Sequence, residues 1–304
     1  MRDQETYRPR YLETYESGAL ERKTEEARER LKDCDLCPRK CHVNRLAAEK
    51  GYCRTGEYAL VSSTGPHFGE EPELVGTRGS GTIFFTHCNL QCVYCQNYDI
   101  SQLGQGQELS PQELAHRMRR LRMLGCHNVN LVSPTHVVPQ ILEALKIAIE
   151  DGLTIPLVYN THGYENVETL RLLEGVVDIY MPDTKYSDEE AASKYSDARN
   201  YPEVNRKALL EMHNQVGTLQ IQNGIATRGL LIRHLVLPHN LSGPFKTLDF
   251  IAHRLSKDSY VNIMAQYRPC YMAEKYSELS KKITFSDYSQ VTEYARKLGL
   301  KRGF

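Results

Sequence analysis

Six short apolar runs recur between positions 82 and 264: 82-TIFFT-86, then 129–132, 155–159, 176–181, 230–236 and 260–264. Each is apolar almost throughout rather than alternating, the pattern of strands covered on both faces, and such strands belong to parallel sheets flanked by helices. The intervening segments supply the helices. In 110-SPQELAHRMRRL-121, Ser110 stands as N-cap, Pro111 takes the first helical position and Glu113 completes a capping box. Segments 137–150, 165–174 and 188–216 carry further helical patterning. The expected architecture is α/β: a partial (β/α)6 TIM-like barrel.

Before the first run the texture differs. Residues 11–33 are rich in helix formers, with Glu four residues from Lys or Arg, and read as an exposed helix. A cysteine-rich, turn-rich stretch then extends to about position 78, and 77-TRGSG-81 marks the change. The expected division is residues 1–78, a helix and small cysteine-rich metal-binding module, and residues 79–304, the barrel. Within the first part, 63-STGPHFGEEPELVG-76 reads as a loop that covers the barrel mouth.

Charge and cysteine content narrow the function. The 304 residues carry 38 Lys+Arg against 38 Asp+Glu, so no overall field gathers nucleic acid or an anionic membrane. No run reaches the roughly 18–20 apolar residues of a membrane span, and MRDQETYRPR lacks the apolar core of a signal peptide, so the expected compartment is the cytoplasm. In that reducing setting nine cysteines point to metal or redox chemistry, and seven of them fall between positions 34 and 95.

Barrel chemistry sits where strands end, because those loops converge on one mouth. Here the runs lead into 87-HCNLQCVYC-95, 133-SPTH-136, 160-NTHG-163, 182-PDTK-185 and 266-QYRPC-270, with Arg233 inside the fifth run. The sharpest of these signals is Cys88-x3-Cys92-x2-Cys95. Three thiolates on one loop can hold three irons of a [4Fe–4S] cluster and leave the fourth open to a substrate. The plainer readings are an incomplete zinc site or unliganded buried cysteines. His87 is adjacent, and reads as the residue ending the strand rather than a fourth ligand. Upstream, Cys34-x2-Cys37-x3-Cys41-x11-Cys53 supplies four thiolates in 20 residues, with Pro38 and Gly51 giving turns. That set suits either a closed structural zinc site or a second [4Fe–4S] cluster acting as an electron relay, with unliganded thiols the plainer reading, and spacing does not separate the two metals.

CxxxCxxC after the first barrel strand, with Tyr94 before the last cysteine, resembles the radical S-adenosylmethionine (SAM) superfamily. Within it the chain is most similar to homologues of pyruvate formate-lyase activating enzyme that carry an N-terminal four-cysteine module. The motifs 34-CDLCPRKCHVNR-45, 79-GSGTIFF-85, 130-NLVSPTH-136, 157-LVYNTHGYE-165, 178-DIYMPDTKY-186 and 233-RHLVLP-238 carry the likeness from about residue 34 to the C-terminus. The resemblance implies a SAM-binding [4Fe–4S] cluster at Cys88, Cys92 and Cys95, fed by an electron donor such as flavodoxin or ferredoxin. It further implies reductive cleavage to methionine and a 5′-deoxyadenosyl radical that abstracts a substrate hydrogen atom.

By the same similarity Asp183, Lys185 and Arg233 face the lumen near the cofactor, with Tyr94 beside the cluster. A charged side chain within 230-LLIRHLV-236 demands a partner, so Arg233 is either ligand-facing or in a structural ion pair. Two motifs depart from the activating-enzyme pattern: Ser133-Pro134-Thr135-His136 replaces its Gly-Gly-Glu, and Asn160-Thr161-His162-Gly163 its Asp-Thr-Asn-Gly. Ser133, Thr135 and Asn160 still offer hydroxyl and amide groups to an amino acid or ribose, or serve as caps and turns. His67, His136, His162, His234, His239 and Tyr267 are candidates for substrate contact or proton transfer, or ordinary hydrogen-bonded side chains. Cys126 and Cys270 read as small buried apolar groups, with Cys270 near enough to the sixth strand's end for a radical role. The favoured activity is that of a glycyl-radical activase acting on a protein or peptide. The alternatives are radical modification of a small molecule or other peptide, and a non-catalytic iron–sulfur and zinc protein.

Overall fold

A computed structural model describes residues 7–304. Nine strands form one sheet: β1 (Ala59–His67), β2 (Ser80–Phe85), β3 (Gln107–Leu109), β4 (Val129–Val132), β5 (Leu157–Thr161), β6 (Ile179–Pro182), β7 (Gln220–Gln222), β8 (Ile225–Leu235) and β9 (Tyr260–Met264). Six of them, β2-β4-β5-β6-β8-β9, run parallel in that spatial order. The expected (β/α)6 partial barrel is therefore present. At one edge β1 lies antiparallel between β2 and β3, and β7 forms a hairpin with the first half of β8.

The helices close over the outer face of the sheet. Pro111–Met123 begins with the reciprocal Ser110–Glu113 capping box that the sequence announces. Val138–Glu150 buries one whole side, and the segment expected at 188–216 is two helices, Glu189–Ser196 and Tyr201–Val216. Strand bounds shift by a few residues from the apolar runs. Pro156, for example, lacks an N–H and gives only its carbonyl, to Val129, so β5 starts at Leu157. No described helix is long and apolar enough to cross a membrane.

Two expectations are corrected. Residues 11–33 are not one exposed helix but two, Arg10–Glu16 and Ala19–Glu29, broken at Gly18 with φ 70°. Tyr11, Leu20 and Ala27 are fully buried, because the salt-bridging pattern occupies only the outer face. Arg10 N–H and Tyr7 hydroxyl both donate to Asp178 just ahead of β6, latching this hairpin to the barrel's lower end. Residues 63–76 are not a plain loop either: 63–67 complete β1, and Pro72–Val75 is a single helical turn. The Ser-Ser-Thr-Gly-Pro stretch reads as a turn, yet its backbone pairs from His67 with Ser80 to Val61 with Phe85. The strand lies before position 78 and pairs across it.

Strand periodicity then sets the lumen. Successive side chains alternate faces, so on β5, β6 and β8 the inward set reads Val158 then Asn160, Ile179 and Met181 then Asp183, Leu231 then Arg233. The apolar members pack with Leu74, Leu219 and Tyr260 as a floor. Asn160, Asp183 and Arg233 line the cavity above it.

Candidate active site

The loop after β2 is bent by His87, whose φ of 68° is a left-handed conformation uncommon for a side chain of this size. That turn sends Cys88 away from the strand line. Behind it the loop is pinned by backbone bonds: Gln91 and Val93 N–H donate to Ser196 and Tyr195 carbonyls, and Val93 carbonyl accepts from Met272. Cys88, Cys92 and Cys95 all line one cavity of about 430 Å³, and each sulfur faces a donor. Leu90 N–H lies 3.3 Å from Cys88 Sγ, Ser196 Oγ 3.0 Å from Cys92 Sγ and Ser101 Oγ 3.1 Å from Cys95 Sγ. The Ser196 hydroxyl continues through Tyr186 to Tyr94, at 2.8 and 2.6 Å. Burial pushes the Cys88 and Cys92 thiols up, and Lys185 opposes it at both.

Opposite the cysteines stands a charged group. Asp183 accepts from Arg233 Nε at 2.9 Å on one oxygen and from Lys185 Nζ at 2.8 Å on the other. Arg233 also donates to Asn160 Oδ1 at 2.7 Å and has Glu70 at 3.5 Å. Burial alone raises the Asp183 pKa, but the two cations outweigh it and hold it at about 2. Arg233 is thus ion-paired and at the same time lines the cavity. A preformed trio with two cations and one carboxylate, beside a tripod of sulfurs, suits a ligand carrying carboxylate, amine and ribose hydroxyls. The three cysteines suit three irons of a cluster: their sulfurs converge on one cavity and are already bonded to donors that stabilise thiolate.

Of the other sequence-based candidates, Tyr94, Ser133, Asn160, His67 and His162 line the same cavity. Ser133 is left-handed at φ 59°, which turns the chain inward at the end of β4. Both ring nitrogens of His162 lack partners among the described residues, and burial with Lys185 nearby keeps the ring neutral, at about 3. Thr135 is elsewhere. Its hydroxyl is spent on Glu165 at 2.5 Å. His136 turns toward the N-terminal cysteines, His234 is bonded to the Thr184 carbonyl, and Tyr267 donates to Leu279 carbonyl. His239 sits in a left-handed turn, and Cys270 is half-buried, neither lining the cavity. Cys126 is packed in the core as expected.

Sequence reasoning passed over Glu70, Ser101, Tyr186 and Ser196. Glu70 stands in the segment read as a mouth-covering loop, which singles out none of its acids; the serines carry no signal until helix and loop meet. Glu165 was likewise unassigned. It is buried and accepts from Thr135, Thr161 and Tyr159 hydroxyls, and burial outweighs these bonds to push its carboxyl up to about 7. A carboxyl raised in the fold adds stability below its ordinary value of 4.5 that is lost as pH rises through about 7. Glu165→Gln is therefore expected to shrink the fall in Tm between about pH 5 and pH 8, which thermal melts across that window check.

The fold and site together define an α/β barrel with three clustered cysteines and a charged cavity at the strand ends. Residues 82–251 match the radical SAM superfamily. The chain is 35% identical over 300 residues to the uncharacterized protein MJ0674 of Methanocaldococcus jannaschii, covering 95% of this chain and 82% of that one. It is 29% identical over 130 residues to the pyruvate formate-lyase-activating enzyme of Clostridium pasteurianum, covering 41% of this chain and 53% of that enzyme. A radical SAM methyltransferase from Sphaerobacter thermophilus shares the fold, with a TM-score of 0.52 at 14% identity over 73% of this chain and 65% of that one. The chain belongs to the radical SAM superfamily, whose members use a [4Fe–4S] cluster and SAM.

Proposed function

We propose that this protein is a radical SAM enzyme that abstracts a hydrogen atom from a protein or peptide segment, in the manner of glycyl-radical activating enzymes. The reading is carried by one observation: three donor-bonded cysteine sulfurs of a single loop share a cavity with Asp183, Lys185 and Arg233. When bound, the cluster and SAM supply one-electron cleavage of the sulfonium's bond to the 5′-carbon, giving methionine and a 5′-deoxyadenosyl radical.

The chain's own residues have separate tasks. Cys88, Cys92 and Cys95 hold the irons, and Leu90, Ser196 and Ser101 stabilise the sulfur charge. Arg233 and Lys185 attract the methionyl carboxylate, while Asp183 and Asn160 orient amine or ribose groups. Phe84, Leu235 and Met264 are apolar walls that keep water from the reacting carbon. Support for a macromolecular substrate comes from the surface beside the cavity: Phe68, Leu103 and the stacked pair Tyr98–Tyr271 are exposed, on segments next to the lining residues His67, Gln102 and Asn97. A low-potential one-electron protein serves as reductant. The module of residues 1–78, with its four cysteines as a further metal site, serves the barrel of 79–304.

Anaerobic protein reconstituted with iron and sulfide, then given dithionite and SAM, is expected to release 5′-deoxyadenosine and methionine. Adding pyruvate formate-lyase deuterated at glycine is expected to place deuterium in the 5′-deoxyadenosine. No 5′-deoxyadenosine above a protein-free control defeats the radical reading; undeuterated product defeats the activase reading alone.

A further inference from the structure

We infer that Cys34, Cys37, Cys41 and Cys53 hold a second [4Fe–4S] cluster, and that it hands electrons to the barrel site through the contact of Cys37 and Asn89 beside Cys88. The relay half rests on the proposed radical reading; the cluster half does not.

The four cysteines line one cavity with Leu36, Val43 and His136. Every sulfur faces a hydrogen-bond donor. Arg45 Nη1 lies 3.9 Å from Cys34 Sγ and Tyr52 N–H 3.4 Å from Cys41 Sγ. Burial pushes the Cys37 and Cys53 thiols up, and donors oppose it: Arg39 N–H and the Asn89 carboxamide at Cys37, Arg45 and Thr55 at Cys53, where the Thr55 hydroxyl also donates to the Cys53 carbonyl at 3.1 Å. Buried sulfurs opposed by donors suit metal ligation, where a metal centre supplies the remaining stabilisation, and the arrangement repeats that at Cys88 and Cys92. Gly51 makes room for it, since a Cβ there would stand 2.8 Å from Cys41 Sγ.

Arg45 shows that the set is anionic. The side chain is 1% exposed, and its guanidinium bonds only carbonyls of Gly56 and His136 besides the Cys34 sulfur. Its bonds run to carbonyls and a sulfur, none to a carboxylate among the described residues. A buried cation without a counterion is among the costliest groups in a fold, and four thiolates around a metal centre supply the missing negative charge.

Geometry then chooses the metal centre. A single zinc with sulfurs at about 2.3 Å draws its four ligands onto one point. Among the described residues no group of three or more Cys, His, Asp or Glu side chains is placed to hold a single metal ion. Four sulfurs that ring a common cavity without meeting at a point match a cubane, whose irons and sulfides stand between the ligands.

The two sets share a wall. Cys53 and Cys88 both line one narrow cleft with Tyr52, His87 and Gln91. Asn89, fully buried, follows Cys88 directly in the chain, faces Cys37 and is fixed by its Nδ2 bond to Tyr164 carbonyl at 2.9 Å. Arg39 Nε holds the Asn89 carbonyl at 2.9 Å. A second link runs from the cavity through His136, whose Nε2 lies 2.9 Å from the carbonyl of Thr86, two residues before Cys88. One electron from an external low-potential protein reductant enters the N-terminal centre and leaves for the barrel cluster; no bond or proton changes hands there.

The test begins with metal content and spectroscopy of the anaerobic full chain. Wild type is expected to hold about eight irons and no zinc, and the Cys88→Ala/Cys92→Ala/Cys95→Ala variant about four, with a reduced-cluster EPR signal. One zinc with about four irons in wild type, or an iron-free triple variant, overturns the second cluster. Asn89→Ala, an altered positioning residue, is expected to keep both EPR signals and slow reduction of the barrel cluster by reduced flavodoxin at least about tenfold in stopped flow. An unchanged rate overturns the relay. Eight irons without 5′-deoxyadenosine would refute the radical reading alone; zinc with 5′-deoxyadenosine would refute this inference alone.

Discussion

Cys92→Ala is expected to lower 5′-deoxyadenosine formation at least about 10³-fold, below detection by chromatography, while iron content falls by about four atoms. Cys92 is the middle cysteine of the loop and the end of a hydroxyl chain from Tyr94 through Tyr186 and Ser196. On the proposed reading its removal takes one of three cysteine ligands, and two thiolates would not retain a cubane that a substrate must also reach. Ser196→Ala separates ligation from tuning. The Ser196 hydroxyl stabilises the more negative, reduced state, so its loss moves the barrel cluster's reduction potential downward. Iron content should hold while reduction by flavodoxin slows. A Cys92→Ala protein that cleaves SAM at the wild-type rate would remove the basis of the site.

The parallel strands were readable because burial on both faces erases polar residues, and the polar residues that then follow each run announce the mouth. Cys88, Cys92, Cys95, Asn160, Asp183 and Lys185 stand at such ends, and with Arg233 from inside the fifth run they meet in one cavity. What stayed illegible depends on pairing between distant segments. β1 carries Ser, Thr, Gly and Pro because its neighbour β3 is only three residues long, leaving most of that edge half-exposed, so no apolar run forms there. Glu70 follows this strand and reaches Arg233 only because β1 lies against β2. Ser196 sits at the end of an unremarkable helix, and only the docking of the 87–95 loop makes it a sulfur's partner. Thr135 shows the opposite error: a hydroxyl in the right loop whose bond is taken by Glu165, an acid four residues past β5.

Asp183→Ala is expected to destabilise the protein by about 3–5 kcal/mol, the usual cost of removing one partner from a buried ion pair. Lys185 loses its only carboxylate among the described residues, and Arg233 keeps Asn160 and the more distant Glu70. At roughly 2–4 °C per kcal/mol this is a Tm loss on the order of 10 °C, readable by calorimetry. The sign with pH is fixed by the depressed carboxyl. Because Asp183 is held at about 2, below its ordinary 3.8, its stabilisation is complete above that ordinary value and lost only as pH falls through about 2. The gap between wild type and variant should thus be the same at pH 7 and pH 5; a gap that closes by pH 5 would assign the effect to Glu165 or Glu70 instead. Asp183→Ala/Lys185→Met removes the stranded ammonium with its carboxylate and should recover most of the lost stability. It should not recover SAM binding by calorimetric titration, since the methionyl carboxylate would then meet Arg233 alone. Recovery of both would make the trio scaffolding rather than a ligand site.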